Sequence, residues 1–325
     1  MGTPVEPRCH VFDHEGSSHV HFDRATVERL LAHGHFFWLD LARPDDGDFT
    51  VLRETFGFHP LAVEDSEHFG QRPKVDDYDD HSFLVAYGAV SDDDNLVEVH
   101  CFFSQQLLVT VHRDDAPAFA ELRRRYEVRE DAVIDPVFLL YQILNALTDS
   151  FFPLLTDLDD RIDELENKTF LEAKEEQLQE IFRLKRELVT MRKSVAPQRD
   201  MLQGLAGGST RLPGMTVEHE RYFRDTYDHL IRIGDLIDTY RDLLTSSMDV
   251  YLSTVSNRLN VVMKQLAVIS TVFLPLTFIT GFFGQNFAWM VGHIGGWPLF
   301  AVLGIGTELV TVALLFLLFK RRGWF

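Results

Sequence analysis

Short apolar runs and alternations dominate the first 150 residues, and a helical period takes over after Pro136. Phe36–Leu41, Phe83–Tyr87 and Leu107–Val111 are compact apolar runs, and Val97–Phe103 alternates, so strands are expected at all four. Asp92-Asp93-Asp94-Asn95 lies between two of these runs and reads as a hairpin turn. Arg24–Ala32 and Pro117–Tyr126 have the spacing of helices. Together they predict a mixed α/β domain over residues 1–150, long enough to bury its own core.

Residues 150–200 are charged, with Leu and Ile at helical spacing. Gly204, Gly207, Gly208, Pro213 and Gly214 then mark a turn between two antiparallel helices. In the next segment Leu230, Ile233, Ile237, Tyr240, Leu244, Met248, Tyr251, Val255, Leu259 and Val262 step by three or four residues. Nothing interrupts this stripe, so one helix is expected from Thr216 to Phe283, about 100 Å long at 1.5 Å per residue. Such a helix needs partners for its stripe, and parallel copies around an axis supply them.

From Gln265 to Thr307 the chain has no Asp, Glu, Lys or Arg. Two membrane spans fit there, residues 265–283 and 297–319, joined by a loop at 284–296. The expected division is an α/β domain at 1–150, a helical stalk at 151–262 and a transmembrane domain at 263–325. Pro275 is expected to bend the first span. Arg258 and Lys264 precede it and Lys320–Arg322 follow the second, so both termini are expected in the cytoplasm. Trp289 and Trp297 suit the opposite interface, and Trp324 the inner one.

Charge sharpens this division. Residues 257–325 hold five basic side chains against one acid, Glu308, so the net −19 of the chain leaves −23 upstream. That surface repels nucleic acid and can attract divalent cations, although most of its carboxylates serve as a solvated face. Two cysteines make no disulfide framework and point to a reducing compartment. The polar N-terminus has no apolar signal segment. Cys9, His10, His14, His19 and His21 match no zinc spacing. There is no phosphate-binding Gly-rich loop and no nucleophile–base pairing, so neither nucleotide use nor enzymatic activity is expected.

Asn260–Leu266, followed by Phe273-Leu274-Pro275-Leu276-Thr277-Phe278-Ile279-Thr280-Gly281-Phe282-Phe283-Gly284-Gln285-Asn286-Phe287, resembles the first transmembrane segment of the CorA family of divalent-cation transporters. His59–Asp65, Gln71–Lys74, Tyr222–Asp225 with Tyr227–His229, and Asp249–Leu252 are similar to other segments of that family, in the same order. The family closes its first span with Gly-Met-Asn, and here Gln285 stands in place of Met. The resemblance implies a homopentameric funnel in a cell membrane, with an α/β cytoplasmic domain and long stalk helices. The first span would line the pore, and the second would pack outside it. No cofactor is implied; a divalent cation is both substrate and regulator.

Hydrated Mg²⁺ sheds its waters reluctantly, so a ring of acceptors can recognise the hydrated ion. Gly284, Gln285 and Asn286 are the candidate mouth, with Asn286 carbonyls as the ring. Gln285 either enlarges the polar mouth or faces its loop neighbours. Asn260, Met263, Leu266, Ser270, Leu274, Thr277 and Gly281 share one helix face and match the family's pore positions. Met263, Leu266 and Leu274 are candidate constrictions; Asn260 and Thr277 are candidate polar rings. The resemblance implies regulatory carboxylates at cytoplasmic subunit interfaces: Asp225, paired with Asp92 or Asp93, and Asp249 nearer the pore. Glu308 is an acid inside the second span, expected at the depth of Thr271–Thr277, either hydrogen-bonded to the first span or a proton-coupling site. The expected activity is transport of Mg²⁺, with Co²⁺ and Ni²⁺ as lesser substrates. The alternatives are a zinc transporter of the same family, with or without proton coupling, and a non-conducting, membrane-anchored metal sensor or scaffold.

Overall fold

The computed structural model describes residues 9–323 except 14–15, 21, 91–95, 115, 128–134, 172, 286–287 and 294. The chain forms two compact units, one ending at Asp249 and one beginning at Val250.

The first unit is built on a seven-stranded sheet. Its strands are β1 (Cys9–Asp13), β2 (Gly16–Val20), β3 (Phe37–Ala42), β4 (Lys74–Asp77), β5 (Ser82–Ala89), β6 (Leu96–Phe103) and β7 (Leu107–His112), in the order β2-β1-β3-β7-β6-β5-β4. β3 and β7 pair in parallel at the centre, and every other pair is antiparallel. Helices cover both faces, which is why the central strands read as apolar runs. On one face Phe83, Val85, Phe102 and Val109 pack with α1 (Arg24–His33), α2 (Asp46–Glu54) and α3 (Pro60–Glu67). On the other, Leu84, Ala86, Val99, Cys101 and Leu108 pack with α4 (Ala118–Glu127), α5 (Pro136–Asp149), α6 (Phe151–Leu171) and α7 (Glu175–Ala206). Burial pushes the Cys101 thiol far up, so it is chemically quiet.

The sheet holds a buried ionic network that periodicity does not reveal. Asp40 on β3 accepts from Thr110 Oγ1 at 2.6 Å, from His112 Nε2 at 3.2 Å and from Arg123 Nε of α4 at 2.9 Å. Trp38 Nε1 donates to the same Thr110 hydroxyl at 3.0 Å. His112 Nδ1 lies 2.6 Å from the Asp114 carbonyl, so both ring nitrogens face acceptors and only the imidazolium serves both. Burial alone would push the Asp40 carboxyl up; His112, then Arg123 and Thr110, outweigh it and hold Asp40 well below the usual carboxylate range. Burial likewise pulls His112 down, and the Asp40 charge and hydrogen bond, with the Asp114 carbonyl, lift it above the usual imidazole value.

α8 spans Val217–Phe283, within one residue of the expected start, and is unbroken through Pro275. Its first part is clamped into the first unit. Phe223, Leu230, Ile233, Ile237, Tyr240 and Leu244 are buried. Polar bridges run alongside them: His219 to Asp135 at 3.0 Å, Thr226 to Asn145 at 3.1 Å, His229 to Asp149 at 2.8 Å and Ser247 to Glu166 at 2.9 Å. An ion pair joins Arg192 of α7 to Asp238.

Candidate functional site

The apolar stripe of α8 continues beyond Met248, but the packing of the first unit against it does not. Leu259, Val262, Met263, Leu266 and Leu274 are 52–75 % exposed within the chain. Among the described residues, three helical stretches are long and apolar enough to cross a membrane: Pro136–Leu171, Val217–Phe283 and Trp297–Arg321. Half of the apolar window of the first is buried inside the protein, against 0 % and 6 % for the other two. Pro136–Leu171 is therefore a core segment, and the other two coincide with the spans expected from the charge-free run.

Asn260, Met263, Leu266, Ser270, Leu274, Thr277 and Gly281 are all exposed on α8. At 100° per residue they fall within an arc of about 120°. The arc is apolar at Met263, Leu266 and Leu274 and polar at Asn260, Ser270 and Thr277. The Thr277 hydroxyl donates to the Phe273 carbonyl at 2.8 Å. Its single proton is thereby committed to the helix, leaving the oxygen an acceptor toward the open face.

The helix ends in a tight turn. Gly284 N donates to the Thr280 carbonyl at 2.9 Å, and Gln285 N donates to Phe282 at 3.3 Å. A Cβ on Gly284 would lie 3.0 Å from the Thr280 carbonyl oxygen, whereas one on Gly281 meets nothing within 4 Å in its own chain. Gly284→Ala is therefore expected to displace the turn, whereas Gly281→Ala should leave the isolated chain's fold unchanged. Thermal unfolding of the two purified variants checks the contrast. Asn286 lies outside the described residues.

Beyond the turn, α9 (Ala288–His293) stacks His293 on Trp289 at 4.9 Å, with His293 Nδ1 3.0 Å from the Trp289 carbonyl. Trp289 and Trp297 are exposed, as interfacial anchors would be, and Trp324 lies outside the described residues. The second span consists of α10 (Trp297–Leu299), a π-helical stretch at Phe300–Gly306, and α11 (Thr307–Arg321). Glu308 opens α11 and lines a cavity of about 540 Å³ with Thr280, Phe283 and Gln285. Ile279 and Gly284, at the end of the first apolar stretch, line the same cavity. Helical side chains lean toward the N-terminus of their helix, here the loop end.

Asp225 and Asp249 are exposed on α8. Burial raises the Tyr141 hydroxyl, and the charges of Asp225 and of Asp149 at the end of α5 raise it further, which sets Asp225 of α8 close to α5. Asp92 and Asp93 lie outside the described residues, and among the described residues no three His, Cys, Asp or Glu side chains form a metal-sized group. Any cation at Asp225 must draw ligands from elsewhere.

The chain matches the family described as "CorA-like Mg2+ transporter protein" over residues 33–321. It is 35 % identical to the "Cobalt/magnesium transport protein CorA" of Thermotoga maritima, over 83 % of this chain and 78 % of that protein. It is also 30 % identical to the "Zinc transport protein ZntB" of Cronobacter sakazakii, over 71 % and 67 %. Its fold matches the complete structure of the CorA magnesium transporter from Methanocaldococcus jannaschii with a TM-score of 0.81, 25 % identity and full coverage of both chains.

Proposed function

The chain belongs to the CorA-like Mg²⁺ transporter family, and on that premise we propose that it is a homopentameric, channel-like Mg²⁺ transporter that also passes Co²⁺ and Ni²⁺. The observation that carries this reading is the exposed face of α8. No residue of α8 from Asn260 to Gly281 is buried within the chain, whereas the first part of the helix is packed, and the seven candidates recur along one arc of that bare stretch. Five such faces around an axis enclose a path with apolar constrictions and polar rests. In this arrangement residues 1–150 and 151–262 are cytoplasmic, 263–325 cross the membrane twice, and both termini lie inside.

The proposed mechanism needs neither cofactor nor nucleotide, and the protein is not an enzyme. The membrane potential draws the cation in, at about 2.3 kcal/mol per charge per 100 mV. Asn286 side chains, with Gly284 carbonyls, receive the hydrated ion and share its water hydrogens. Met263, Leu266 and Leu274 form a dewetting gate, while Asn260 and Thr277 offer oxygens between constrictions. Asp225, with Asp92 or Asp93 of a neighbouring copy, and Asp249 bind cytoplasmic cation. An ion there turns repulsion between facing carboxylates into a bridge. Its loss loosens the cytoplasmic interfaces and opens the path.

Purified protein in liposomes under an imposed potential, without a pH gradient, is expected to take up Mg²⁺. Zn²⁺ uptake that requires a pH gradient would favour the zinc reading, which the 30 % identity to a zinc transport protein motivates. Absence of all divalent flux, with cation binding retained, would leave a membrane-anchored sensor.

A further inference from the structure

Gln285, which stands where the family has Met, and Glu308, the acid in the second apolar helix, line one cavity. Among the described residues from Gln265 to Phe319, Glu308 is the only acid or base apart from His293. An acid in an apolar span is costly without a hydrogen-bonding partner. The cavity walls are largely phenyl and aliphatic groups, with Phe283, Phe300 and Leu303 among them. Its polar side chains are Thr280, Gln285 and Glu308. The Thr280 hydroxyl already donates to the Leu276 carbonyl at 2.7 Å, so it offers only an acceptor. The Gln285 carboxamide has both a donor and an acceptor, and its backbone is held by the turn to Phe282.

We infer that Glu308 is a positioning residue for the ion mouth: its carboxyl pairs with the Gln285 carboxamide through water across this cavity and holds the turn at Gly284–Gln285 from behind. The Gln285 N–H donates toward the carboxyl oxygens through the bridging water, and the Gln285 carbonyl accepts from it. The Thr280 oxygen accepts from whichever donor or water is left over. Gln285 thus faces the second span rather than the pore, and the mouth is shaped from behind. The family's thioether at this position could not make that pair. This inference rests on the reading of Gly284–Asn286 as the mouth.

The test is a double-mutant cycle on the full-length protein, read by Mg²⁺ flux in liposomes and by thermal unfolding in detergent. Glu308→Leu is expected to lower flux about tenfold, the equivalent of one lost hydrogen-bonded pair. Glu308→Gln keeps a donor and an acceptor and should hold flux within about twofold. In a Gln285→Met background, Glu308→Leu should change flux by less than about twofold, because the partner is already gone. Additive effects of the two substitutions, or equal losses in Glu308→Gln and Glu308→Leu, would overturn the pairing. If the protein moves no divalent cation but the unfolding cycle is non-additive, the pairing stands and the transport reading falls. If flux is robust and both cycles are additive, the pairing alone falls.

Discussion

Asn286→Ala is expected to reduce voltage-driven Mg²⁺ flux by at least about tenfold while the protein still assembles. The substitution removes one amide carbonyl from every copy at the mouth. Each lost hydrogen bond to the ion's water shell is worth about 0.5–1.5 kcal/mol, and about 1.4 kcal/mol is already a factor of ten. In the proposed ring the losses add because every copy would face the same hydrated ion. The expected signature is a large drop in flux without a change in thermal unfolding or oligomer size. Liposome flux with size-exclusion chromatography on the same preparation reads both. Unchanged flux would remove Asn286 from the ion path and, with it, the reason for calling Gly284–Asn286 a mouth.

Asp40→Ala is expected to destabilise the first unit by about 3–5 kcal/mol, the scale for removing one partner of a buried ionic cluster. The substitution strands the Arg123 guanidinium, the His112 ring and the Thr110 hydroxyl around an apolar methyl. α4 loses its anchor to β3 at the same time. Removing the exposed Asp249 instead should change stability by less than about 0.5 kcal/mol. Urea unfolding followed by near-ultraviolet circular dichroism distinguishes the two. The pH dependence has a defined sign. The Asp40 contribution is present above the ordinary carboxylate value and is lost as pH falls through its lowered folded value. The His112 contribution is present below the ordinary imidazole value and is lost as pH rises through its raised folded value. The network is therefore strongest between about pH 4 and 6.5. In Asp40→Ala the alkaline decline attributable to His112 should disappear.

Four strands were legible because buried strands are short and apolar on both faces. β1, β2 and β4 were not, for they lie at or next to the sheet edges. Lys74-Val75-Asp76-Asp77 has the charged look of a loop, yet it pairs with Ser82–Val85 of β5. Edge strands tolerate such residues because one side of the ladder meets water. The Asp40–Thr110–His112–Arg123 network was invisible for a different reason. Its members are up to 83 residues apart and meet only because β3 and β7 run in parallel, with Asp40 opposite Thr110.

The membrane segment divides in the same way. Composition and helical period are local quantities, and they predicted the long helix, two apolar stretches and the acid Glu308 within the second. The choice of the face from Asn260 to Gly281, and Gln285 as a departure, came from the family resemblance. Which part of the α8 stripe is already covered within one chain, and which is left bare, depended on where α5, α6 and α7 end against it. That Glu308 shares a cavity with Thr280 and Gln285 depended on how the second apolar helix packs against the end of α8, a meeting of residues far apart in sequence that no local pattern encodes.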